Sequence, residues 1–164
     1  MTDRPHATVS AATNVRITVI DTTDPTADSQ TFETHNTTRA AYHEAIVGEL
    51  DGFGSELEID AFALGDSTAA TSTIPDSDVL GNELFRTGTI DTSRTGQTFS
   101  ASVFIDSTEA NGQTFEEGGL SATQPDGSDL PVQRFLINDP GGLLSPKSKG
   151  ESVTIEITIT QQDA

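Results

Sequence analysis

The chain has 164 residues, enough for one domain with a real core. Against 8 Lys and Arg it carries 26 Asp and Glu, a formal charge of −18. Over the roughly 7,800 Å² expected of a folded chain this size, that is about one excess negative charge per 430 Å². This excludes an unassisted binder of nucleic acid or anionic membrane, and the lack of Cys excludes disulfide scaffolds, zinc-thiolate sites and Cys nucleophiles.

Residues 1–13 are small and polar without a period and read as a flexible arm; residues 14–164 read as a single domain. The start, Met1 to Pro5, lacks a signal peptide's apolar segment, and no apolar run approaches the length of a membrane span. Val15 to Ile20 alternates as a strand does, and Phe32 lies in a Thr-rich stretch that suits a short strand. A helix is expected at about 37–50: Asn36, Thr37 and Thr38 offer N-caps, and Tyr42, Ala45, Ile46 and Leu50 fall on one stripe. A lone amphipathic helix must lay that stripe on something apolar, and a sheet is the only candidate.

Leu57 to Leu64 reads as a strand with Leu57, Ile59, Ala61 and Ala63 on one face, and Phe62 and Leu64 on the other. A polar loop over 65–78 leads to Asp78 to Phe85, read as a helical turn or two, and then to a short strand at Thr87 to Ile90. Phe99 to Ile105 is the clearest internal strand, with Phe99, Ala101, Val103 and Ile105 inward. Asn111-Gly112 signals a turn and Gly118-Gly119 a bulge or bend, before a strand at Val132 to Ile137. Val153 to Thr160 keeps a strict period of two, with β-branched residues inside and Thr and Glu outside. These elements predict a mainly β fold, an antiparallel β-sandwich with one covering α-helix.

The motifs that would carry chemistry are missing or weak. Asp76-Ser77-Asp78 and Asp126 to Asp129 do not continue into a calcium loop and read as solvated turn acids. Glu116-Glu117 shows no partner that would mark a general acid/base pair. His6, His35 and His43 match no zinc spacing, and no Ser sits in a nucleophile elbow. The chain has no Trp, and its one Tyr, Tyr42, lies on the expected helix stripe, so stacking of a sugar on Trp or Tyr is not expected. No catalytic residue, metal ligand or cofactor is therefore expected, and the chain does not read as an enzyme.

The acidic surface, with Lys147 and Lys149 as the only lysines and a modest core, resembles proteins of extreme halophiles, in which salt screens charge and strengthens burial. From Leu57 onward the order of motifs resembles a family of small tailed-phage virion proteins, associated with tail fibres and baseplates. Ala63 to Thr68 leads through Pro75 and Asp78 to Leu80-Gly81-Asn82-Glu83-Leu84-Phe85-Arg86. The Phe99 to Ile105 strand, Asn111-Gly112, Glu117-Gly118-Gly119-Leu120, Pro146-Lys147-Ser148-Lys149 and the last strand follow in the same order. The match covers roughly 100 residues; the strand at Val15 to Ile20 has no counterpart in it.

The resemblance implies a structural virion protein of a haloarchaeal tailed virus, at the tail tip, baseplate or fibre, acting in assembly or host attachment. It would be made in the cytoplasm of a halophilic host and located in the virion. Its partners would be copies of itself, as a trimer if it belongs to a fibre, other virion proteins, and a host-surface glycan or S-layer. Alternatives are a capsid decoration or vertex turret protein, and a host-glycan-binding adhesin module. The candidate interface comprises Phe62, Leu64, Phe85, Arg86, Phe135 and Leu136, unless those apolar faces complete the chain's own core and Arg86 pairs within the chain with Glu83.

Overall fold

A computed structural model describes residues 13–21, 26, 30–38, 58–96, 98–124, 126–137 and 152–161. Within them the chain is mainly β: nine strands, β1 (Thr13–Asp21), β2 (Gln30–Thr38), β3 (Ile59–Gly65), β4 (Glu83–Thr87), β5 (Ile90–Thr95), β6 (Thr98–Ile105), β7 (Glu117–Thr123), β8 (Asp129–Leu136) and β9 (Val153–Gln161). All pairings are antiparallel, in the order β4-β3-β7-β8-β2-β1-β9-β6-β5.

Strand β2 joins two halves of this order. Its residues 30–35 pair with β1, whereas Asn36, Thr37 and Thr38 pair with Phe135, Arg134 and Gln133 of β8. At the other side, β4 and β5 stand at opposite ends of the order, yet only Gly88 and Thr89 separate them in sequence. Four consecutive Cα atoms span at most about 11 Å, so the order folds back until its two ends are that close. One buried cluster accordingly draws on both halves: Phe62, Leu120 and Phe135 from the β7 half, and Val103, Ile155 and Ile157 from the β9 half.

The alternation expected of β9 holds: Val153, Ile155, Ile157 and Ile159 are buried and Glu156 is exposed. In β6, Ala101, Val103 and Ile105 are buried and Phe99 packs against the same cluster. Strand β8 changes phase partway along. Ser121 pairs with Pro131 but Leu120 pairs with Gln133, so Val132 is an extra residue. Leu130 and Val132 before the shift, and Phe135 and Ile137 after it, all enter the core. As a result Arg134 is turned to the opposite, outer face, across from Gly119.

Several expected elements differ. Thr37 and Thr38 are strand residues rather than helix caps, because their backbone groups join the β8 ladder; the rest of the expected helix, 39–50, lies outside the described residues, as does 1–12 of the expected arm. Glu83 to Phe85 are strand rather than helix, because the β3 edge satisfies their backbone along its length. The short strand expected at 87–90 is split: Thr87 ends β4, Gly88 and Thr89 form the link, and Ile90 starts β5, whose extent to Thr95 was not expected. In β3, a register shift between Ile59 and Ala61 lets Phe62 and Leu64 face the core while Ala63 faces outward. Gly118-Gly119 is regular strand, the shift coming between Leu120 and Ser121. Gly118 is needed for another reason: a Cβ there would lie 2.5 Å from ring carbons of Phe135.

Candidate functional site

The segment between β3 and β4, residues 66–82, lies on the outer face of the β7 half. It contains one short 3-10 turn, Thr71–Thr73. Val79 and Leu80 are buried there in a second apolar cluster with Ala63, over Gly119. Beside that cluster is a buried ion pair. Glu117 begins β7 and Arg134 lies in β8, and neither side chain has any exposure.

The geometry around Glu117 ties the segment to the sheet. Arg134 donates from Nε at 2.7 Å to Glu117 Oε2, and its Nη2 lies 2.7 Å from the same oxygen. Gly81 N donates to Oε2 at 3.0 Å, and Asn82 N and Ser67 N to Oε1 at 2.9 and 3.3 Å. Arg134 Nη1 donates to Thr71 Oγ1 at 2.8 Å, and Nη2 to the Ser67 carbonyl at 3.5 Å. The carboxylate thus holds both ends of the segment, and the guanidinium holds its first part at Ser67 and Thr71. Charge-assisted bonds of this kind are what permit two ionised groups to be buried together. Gly65 makes the fit possible, since a Cβ there would meet the Asn82 carbonyl and the Glu117 carboxylate.

A second polar group lies at the edge of the same face. Arg86 donates to both Glu83 oxygens at 2.8 and 2.7 Å and to Ser121 Oγ at 3.2 Å, and its Nη1 lies 3.0 Å from Asp129 Oδ2. The Glu83 hydrogen bonds outweigh the partial burial that opposes them, and with the charges of Glu83, Asp129 and Asp60 they hold the Arg86 pKa above its usual value.

The six candidate interface residues divide accordingly. Phe62, Leu64 and Phe135 are in the chain's own core, and Phe85 packs against it partly buried. Leu136 is half-buried, its carbonyl accepting from Thr34 Oγ1. Arg86 pairs with Glu83, the intrachain alternative. Of the acidic turns, Ser77 Oγ donates to Asp78 at 3.0 Å, and Asp126 accepts from Ser128 N and Oγ, bonds that hold the exposed Asp126 carboxyl below the usual range. Among the described residues no group of three or more His, Asp or Glu is placed to hold a metal ion.

Glu117 has a partner after all, in Arg134, 17 residues away. The available signal is the apolar phase change in β8: Leu130 and Val132 fall on even positions and Phe135 and Ile137 on odd ones. That change implies a bulge, and a bulge there turns Arg134 to the outer face.

No family model, curated protein or solved structure matches this chain.

Proposed function

We propose that this chain is a β-sandwich structural protein of a haloarchaeal tailed-virus particle, standing at the tail tip, baseplate or fibre and serving assembly and host attachment without catalysis. The observation that carries this reading is the Glu117 carboxylate. It binds the backbone of Gly81 and Asn82, so the Leu80-to-Arg86 motif and the Glu117-to-Leu120 motif on which the resemblance rests meet in one buried arrangement. A spacing that serves a structural contact is what a structural family would share.

The sandwich is supported by the two-residue β4–β5 link, whose reach matches the roughly 10 Å between stacked sheets, and by the core that both halves share. The charge of −18 limits how copies associate. They come together in strong salt, or through locally apolar contacts.

The test is to measure mass in about 3 M salt and to locate the chain in particles by electron cryomicroscopy. The expected result is an oligomer independent of protein concentration, with density at the tail. A monomer absent from particles overturns the reading, and density on the capsid shell replaces the tail station with a decoration or turret role.

A further inference from the structure

The β1–β2 hairpin sits inside the strand order, between β8 and β9, which follow one another in sequence. Strand β1 pairs with β9 along its whole length, from Thr13 opposite Gln161 to Asp21 opposite Val153, and the end of β2 pairs with β8. On their other sides β8 pairs with β7, and β9 with β6. Without the hairpin, β4-β3-β7-β8 and β9-β6-β5 would each end in an open edge of unpaired backbone, a template for any strand that fits. A hairpin must fill that slot, and the ladder shows that this one fits it.

The hairpin carries bonds of its own. Arg16 pairs with Glu33 at 2.9 Å and Thr18 Oγ1 lies 3.2 Å from Thr31 Oγ1, so these contacts travel with it wherever it docks. Its covalent tie to β3 is the stretch 39–58, 20 residues long. That is longer than a path within one copy requires. Thr38 is level with Gln133, Leu120 and Phe62 on successive strands, so it stands three strand spacings, roughly 14 Å, from β3. A stretch of that length reaches about 70 Å when extended, and half of that still exceeds the radius of a folded chain this size, roughly 20 Å.

Charge favours exchange over contact between surfaces. At −18, two copies repel wherever their acidic outer faces meet, and a new interface must oppose or bury carboxylates. Exchange needs little new interface, because the hairpin makes in a second copy the ladder that it makes in its own.

We infer that copies of this chain join by exchanging this hairpin, each β1–β2 seated between β8 and β9 of the next copy. This rests on the oligomer of the proposed function and gives it a joint. An oligomer in particles whose hairpins stay within their own chains defeats the exchange and leaves the structural role standing. A monomer in strong salt also defeats the exchange, and one absent from particles defeats both.

The chain has no Cys, so a pair introduced across the β1–β9 ladder forms the one disulfide available. Thr18 and Glu156 are opposite each other there, within the Cα separation that a disulfide accepts. The full chain carrying Thr18→Cys and Glu156→Cys is assembled in about 3 M KCl, oxidised, and run on denaturing gels without reductant. Covalent dimers or larger sets are expected, falling to single-chain mass on reduction. Oligomer fractions that run as single, internally closed chains overturn the inference. So do equal multimers from either single-Cys variant, which put the link in a surface contact.

Wild type decides where the pair does not oxidise. Refolded from urea at about 1 μM it should be monomeric, and at about 1 mM oligomeric. Neither form should convert into the other over hours when the concentration is changed, because exchange requires a hairpin to leave its slot. Interconversion within minutes marks an ordinary surface contact and overturns the exchange.

Discussion

Glu117 and Arg134 meet at 2.7 Å across neighbouring strands with neither side chain exposed, and the carboxylate also accepts the amides of Ser67, Gly81 and Asn82. Two strands and a 17-residue segment are therefore held through one buried oxygen pair. Burying two charges is costly, and here the cost is offset by directed donors on both carboxylate oxygens. The pair fixes where the segment lies more than it adds net stability.

Removing one partner should be severe. Arg134→Met leaves a carboxylate buried without its cation and should cost about 3–5 kcal/mol in urea unfolding. Adding Glu117→Gln to that variant should recover part of the loss, because no charge stays buried and the amide oxygen can still accept from Ser67 and Asn82, although Gly81 N–H loses its acceptor. Equal destabilisation by the single and double variants would show that the ion pair is not the source.

Gly118→Ala places a methyl against the Phe135 ring. The expected cost is about 1–3 kcal/mol from overpacking, and Phe135→Leu in the same chain should relieve it. A Gly118→Ala variant as stable as wild type would mean that Phe135 can move aside freely.

Arg86→Met unpairs Glu83 and Asp129 at a partly exposed position. Stability should fall by about 1 kcal/mol, and the oligomer measured in strong salt should persist. Dissociation at unchanged stability would instead put Arg86 in the contact between copies.

Asp126 gives a pH test with a defined sign. Its carboxyl is held below the ordinary value by Ser128, so its contribution is present above the unfolded pKa of about 3.9 and fades as pH falls through the lower folded value. Ser128→Ala should move the Asp126 titration, followed by carboxyl NMR, upward toward that ordinary value. An unmoved titration would assign the depression to some other group.

The salt dependence follows from charge. Dialysis from about 3 M to 0.1 M salt lengthens the Debye length to about 10 Å, so carboxylates at this density repel one another. Tm should drop and circular dichroism should loosen. Identical melting in both salts would remove the halophilic reading.

By itself the sequence determined the strands whose one face is wholly apolar. Val153 to Thr160 and Phe99 to Ile105 repeat every second residue, and a strand with that pattern has one way to face a core. It also determined the charge of −18. Tertiary structure decided the rest. Asn36 to Thr38 carry helix-cap chemistry, yet they extend because β8 supplies partners for their backbone. Leu84 and Phe85 suit a helical turn locally, yet the β3 edge draws them into a strand. Nothing local pairs Glu117 with Arg134; the extra residue in β8 puts Arg134 on the outer face, where the 66–82 segment covers both. Local pattern reports which side of a strand is apolar; which polar groups are sealed from water depends on which distant part of the chain lies over them.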